Sequence, residues 1–89
     1  MKRYYVIVKG QVQGVGYRWT VMQIAHKYNL TGYVRNLEDG DVDLELQGEE
    51  NNLNQALREI TESHRYIIVD DYFVKEITIK DESTFDVKY

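Results

Sequence analysis

The sequence predicts an α+β sandwich ordered βαββαβ, with two helices on one face of an antiparallel sheet and a short fifth strand at the C-terminus. Three observations carry that prediction. The hydrophobic period alternates between that of a strand and that of a helix in this order along the chain. Asp39-Gly40 marks a hairpin between the second and third strands. A turn containing Gly10, Gly14 and Gly16 joins the first strand to the first helix.

Lys2 to Lys9 reads as the first strand. Tyr4, Val6 and Val8 alternate with Tyr5 and Ile7, so both faces are apolar, which suits a central strand. From about Arg18, the apolar residues Val21, Met22, Ala25 and Tyr28 recur at the spacing of an amphipathic helix. Asn29 tolerates the left-handed conformation that ends helices. Tyr33 to Leu37 reads as the second strand, with Tyr33, Arg35 and Leu37 on one face and Val34 and Asn36 on the other. In the third, Val42, Leu44 and Leu46 face a core while Asp43, Glu45 and Gln47 are expected to face water. Gly48 ends that strand. Leu53, Ala56, Leu57 and Ile60 line a second helix that exits at Ser63-His64-Arg65. A fourth strand is expected from about Ile67 to Lys80, irregular near Asp70-Asp71, and Phe85, Val87 and Tyr89 alternate in the fifth. The order is that of the split βαβ, ferredoxin-like pattern, which many unrelated activities use.

A chain of 89 residues supports one domain with one modest core. No apolar stretch is long enough to span a bilayer, no signal peptide stands out, and there is no cysteine, so the expectation is a cytoplasmic protein away from membranes. A net charge of −4 argues against broad nucleic-acid binding, which runs on a basic face. No His/Cys/carboxylate cluster has metal-ligand spacing, so His26 and His64 read as surface residues and no metal or other cofactor is expected. The carboxylates from Glu38 to Asp43 lack calcium-loop spacing and read as a hairpin tip.

The chemistry concentrates in Gly10 to Arg18. Gly14 and Gly16, at alternate positions, allow successive N–H groups to point into one concavity, a nest for an anion. The helix that follows adds free N–H groups and the positive end of its dipole. Arg18 adds a rigid cationic fork at a place where a cation opposes the dipole by about 0.3–1 kcal/mol. Such a cation makes physical sense with an anion between it and the amides; without one, Arg18 is expected to have no partner. The Gly-Lys-Ser/Thr ending of the Walker loop is absent, and the glycine spacing differs from the dinucleotide fingerprint.

This stretch, together with Gly32-Tyr33-Val34-Arg35-Asn36, then Asp39-Gly40-Asp41-Val42 and the closing Gly48, resembles the signature of the acylphosphatase family. With its flanking elements the resemblance covers nearly the whole chain and implies one domain over residues 1–89. It implies hydrolysis of acyl phosphates to a carboxylate and inorganic phosphate. The phosphate would sit in the loop Gln13, Gly14, Val15, Gly16 and Tyr17 and on Arg18, with a water positioned by Asn36. It also implies a metal-free reaction without a covalent intermediate. A cradle that binds phosphate is expected to be inhibited by inorganic phosphate or sulfate, and nothing in the sequence demands more than a monomer. Tyr17 and Tyr33 stand where the family often has Phe and Trp, and the segment from Ser63 to Val69 is shorter than usual, which leaves the loop before the fourth strand open.

Arg35 reads as a solvated or salt-bridged strand residue. Two other functions fit the fold. A nucleic-acid-binding domain of this fold would carry a basic aromatic sheet motif, which is missing. A non-catalytic domain binding an anion or small ligand would need only the cradle.

Overall fold

The computed structural model describes residues 1–89. The elements are β1 (Lys2–Gln11), α1 (Tyr17–Lys27), β2 (Thr31–Asn36), β3 (Val42–Gly48), α2 (Glu50–Thr61), β4 (Ile68–Ile77) and β5 (Phe85–Lys88). They form one sheet in the order β4-β1-β3-β2-β5, so β1 is internal as its two apolar faces predict. β1 pairs antiparallel with β3 and β4, and β2 pairs antiparallel with β3. β5 lies parallel to β2, the one departure from an antiparallel sheet. The chain reaches that far edge by crossing the sheet after β4.

The core lies between one sheet face and the two helices. Val6, Val8, Val34, Leu44 and Leu46 meet Val21, Ala25, Leu53, Ala56 and Ile60, all fully buried. Tyr17 joins the helices, its hydroxyl donating to the Ile60 carbonyl at 2.6 Å. Asn29 ends α1 as expected, at φ 56°. The Asn29 N–H donates to the His26 carbonyl and the Leu30 N–H to the Ala25 carbonyl, which satisfies the last turn.

β2 begins two residues earlier than the alternation suggests. Gly32 carries the extension: at φ 137° it brings its backbone so close to β3 that a Cβ would stand 1.8 Å from the Glu45 carbonyl oxygen. The irregularity expected near Asp70 is a bulge, where Lys9 faces Asp71 and Gly10 faces Val69. Gly10, at φ 134°, permits it, because a Cβ there would collide with the Ile68 carbonyl. The loop from α2 to β4 closes through reciprocal backbone bonds between His64 and Ile67, with Arg65 at φ 53°.

The second face of β3 is not wet. Asp43, Glu45 and Gln47 are buried, at 0%, 9% and 5% exposure. Side chains from both neighbouring strands cover them, and so does the segment between β4 and β5. Asp43 accepts from Tyr5 and from both prongs of Arg35. Glu45 accepts from Arg3 at 2.7 Å, from Tyr33 and from Lys80. Gln47 bonds the Lys80 backbone through both its amide atoms, and Glu82 closes on Arg3. A central strand has neighbours on both sides, and long side chains from those neighbours fold over it.

Burial pushes the Glu45 carboxyl up, but the hydrogen bonds from Arg3, Lys80 and Tyr33 outweigh it and hold the group below the usual carboxylate range. A lowered folded-state value means stability that is present above the unfolded value of about 4.3 and lost as pH falls through the folded one. Glu45→Gln is therefore expected to cost about 1–2 kcal/mol at neutral pH, since the buried Arg3 keeps Glu82 but exchanges its other carboxylate partner for a neutral amide. Urea melts of both proteins should show that gap closing by pH 3. A constant gap would mean that Glu45 acts through packing alone.

Candidate active site

The turn between β1 and α1 places its glycines as the sequence requires. Gly14 and Gly16 sit at φ 73° and 78°, and a Cβ at either would meet nothing within 4 Å. The space above the loop is open, and the left-handed backbone is what demands glycine there. Val12 is buried and Val15 packs against the core, which anchors the loop from below. No side chain caps α1, and its first turn holds no acidic residue. The N–H groups of Gly14, Val15, Gly16, Tyr17, Arg18 and Trp19 have no acceptor in the protein. They form a nest continuous with the positive end of a helix.

Gly14, Gly16, Tyr17 and Arg18 line one wall of a cavity of about 540 Å³, and Asn36 stands in the same cavity. Asn36 is the last residue of β2. Its Oδ1 is buried without a hydrogen-bond partner, the only such side-chain atom in the chain. A buried amide oxygen left unpaired costs about 1–3 kcal/mol.

Arg18 differs from expectation. It is not idle without an anion: its Nη1 donates to the Lys88 carbonyl at 2.9 Å, and its guanidinium lies 4.7 Å from the centre of the Tyr89 ring. The end of β5 thus sets its direction while most of its donors stay free.

Gln13 and Val15 belong to the loop but do not line the cavity. The Gln13 amide donates to the carbonyls of Leu37 and Asp41, both at 2.7 Å. It clamps the loop to the base of the β2–β3 hairpin, next to Asn36. Tyr17 turns its side chain into the core, so in the loop it offers its backbone. Arg35 is salt-bridged to Asp43 on the other face. His26 and His64 are exposed and away from the cavity.

The sequence leaves open whether Trp19 packs beside the loop, and it does not announce the rest of the cavity. Trp19 and Met22 of α1 face Phe85 and Val87 of β5, with Tyr89 beyond them. The signal available was the helical spacing of Trp19 and Met22, but nothing in the chain tells which helix β5 will meet.

The chain is a ferredoxin-like sandwich in which the loop before α1, Arg18 and Asn36 line one cavity. The sequence model of the acylphosphatase family matches residues 4–87. The chain is 44% identical to an acylphosphatase of Clostridium acetobutylicum, covering 100% of this chain and 99% of the relative. It is 43% identical to that of Oceanobacillus iheyensis, over the full length of both. The crystal structure of the Bacillus subtilis acylphosphatase superposes with a TM-score of 0.96 at 34% identity, again over both whole chains. The chain belongs to the acylphosphatase family.

Proposed function

We infer that this chain hydrolyses acyl phosphates with the phosphoryl group seated on the N–H groups of Gly14 to Arg18 and on the Arg18 guanidinium, and with the attacking water on Asn36. The observation that carries this division of labour is that Asn36, at the end of β2, lines the same cavity as the loop and Arg18. The Asn36 amide can accept a hydrogen bond from a water and donate one, and so aim the lone pair of the water. The water oxygen bonds to phosphorus as the bond from phosphorus to the acyl oxygen breaks, and the carboxylate leaves with that electron pair. The water's proton passes to a phosphoryl oxygen. An anhydride needs little acid catalysis, so positioning and charge stabilisation supply most of the acceleration.

Several features support the remaining parts of this reading. One copy of the chain completes the cavity, which fits a monomer. The nest and Arg18 would hold inorganic phosphate or sulfate as competitive inhibitors. The absence of cysteine fits the cytoplasm, and no helix is long and apolar enough to cross a membrane. No group of three or more His, Cys, Asp or Glu is placed to hold a metal ion, and Arg18 is the resident cation.

Phosphate release from acetyl phosphate, followed before and after exhaustive chelation, tests the core of the proposal. Release at the same rate in both is the expected result. No release would leave a non-catalytic anion binder, and release that magnesium or zinc restores after chelation would overturn the metal-free route.

A further inference from the structure

We propose that two copies of this chain pair edge to edge through β4, about a two-fold axis at Phe73 that sets Asp71 of each copy against Lys75 of the other. The inference goes beyond the hydrolytic reading and leaves the single copy as the catalytic unit. β4 is an edge of the sheet, with β1 on one side and nothing on the other. The helices pack on β1, β2, β3 and β5, and β4, ten residues long, contributes no buried residue. Tyr72, Phe73 and Val74, in the middle of the strand, are 45%, 56% and 40% exposed. Edges are usually blunted by shortness, proline, a bulge or a cover. This chain has no proline, and the bulge at Asp70 precedes the regular run from Asp71 to Ile77. That run offers a free backbone edge beside three consecutive apolar side chains.

Charge selects the occupant and the register. Within its own chain Asp71 accepts only from the N–H of the next residue, Tyr72, and Lys75 has no ionic partner, whereas Glu76 lies 3.8 Å from Lys2. A two-fold axis through the sheet joins antiparallel edges with like faces together and sets one residue against its own copy. Centred on Phe73, the rungs are Phe73 with Phe73, Tyr72 with Val74, and Asp71 with Lys75, the last two made twice. Tyr72 and Val74 stand opposite Val8 and Val6 of β1, on the helix side. Asp71, Phe73 and Lys75 share the other face, so an aromatic pair there has an ion pair on each flank. Such rungs stabilise antiparallel strands. The neighbouring registers lose both ion pairs. Centred on Val74, Asp71 faces Ile77 and Tyr72 faces Glu76; centred on Tyr72, Asp71 faces Phe73. The cavity lies at the opposite edge, against β5, so neither copy obstructs the other.

A contact of a few rungs is small, so the pair is weak and forms at high concentration. Sedimentation velocity at low salt, in a concentration series reaching about 1 mM, covers that range. The parent is expected to pass from one copy to two. Asp71→Lys sets a lysine against Lys75, and Lys75→Asp sets an aspartate against Asp71, so each variant alone should stay single throughout. Mixed in equal amounts, the two variants should pair, because every lysine then faces an aspartate. That mixture also shows that both variants are folded. A parent that stays single at every concentration overturns the proposal and leaves β4 to an extended segment of another protein. Single variants that pair as well as the parent overturn it, as does a mixture that stays single while the parent pairs. Growth beyond two copies overturns it too, since a closed pair leaves β4 no free side. Sedimentation reads no turnover, so a failure of the hydrolytic reading would leave this result standing, and phosphate release per chain should be equal in the parent and both variants.

Discussion

Arg18→Ala is expected to lower kcat/KM for an acyl phosphate by about 10³-fold, the scale of losing a charge-stabilising donor from such a site. Arg18→Lys should recover only part, because an ammonium cannot offer two parallel donors. The same substitutions separate catalysis from folding. Inorganic phosphate at about 100 times its Kd should stabilise the parent by about 2.7 kcal/mol, and Arg18→Ala should lose most of that gain. Stability without phosphate involves two opposed effects. Removing the side chain forfeits the hydrogen bond to the Lys88 carbonyl and the stack on Tyr89, together worth about 1–2 kcal/mol at an exposed site. It also relieves a cation opposing the dipole of α1, which returns about 0.3–1 kcal/mol. The net cost should be about 1 kcal/mol. Thermal melts of the three proteins, with and without phosphate at matched ionic strength, check this. An Arg18→Ala protein that melts far lower in phosphate-free buffer, or that keeps the full rise with phosphate, would make Arg18 a structural tie to β5.

That tie shows which features were legible. Gly14 and Gly16 declare themselves in the sequence because a left-handed backbone excludes almost every other residue. Val6, Val34 and Leu44 declare themselves because the period of a strand selects one face. Both are local constraints. The partner of Arg18 is the Lys88 carbonyl, 70 residues away, and depends on β5 crossing the sheet to pair parallel with β2. No local pattern encodes that route. The misreading of Asp43, Glu45 and Gln47 has the same origin. Alternation placed them on the face away from the helices, and they are there. What covers that face is decided by Arg3, Tyr33, Arg35, Lys80 and Glu82, drawn from three other segments. Gln13 is a further long-range case: its side-chain amide reaches two carbonyls of the hairpin, a contact that its place in the motif does not announce. The motif groups residues by the job they serve together, and only the geometry separates those that touch the cavity from those that hold it in shape.

Asn36→Ala carries the second large effect, and its signs are unusual. kcat should fall by about 10²–10³-fold, while KM and the inhibition constant for phosphate move little. The amide is needed when water attacks, whereas the loop and Arg18 hold the phosphoryl group before and after. Stability should not fall with activity. Asn36 Oδ1 is buried and unpaired, so the folded protein carries the cost of having taken it out of water. Alanine removes that oxygen and opens space into an existing cavity. The melting temperature should hold steady or rise, by about 4–8 °C for each kcal/mol recovered in a domain of this size. Asn36→Asp provides the control. It keeps an acceptor of the same shape but brings a negative charge beside the phosphoryl group, so KM should rise along with the loss in kcat. Steady-state kinetics and melts of both variants settle the role of the side chain. Near-normal kcat with a large rise in KM for Asn36→Ala would move the amide from the water to the substrate. A large drop in its melting temperature would mean that Asn36 is held for the fold.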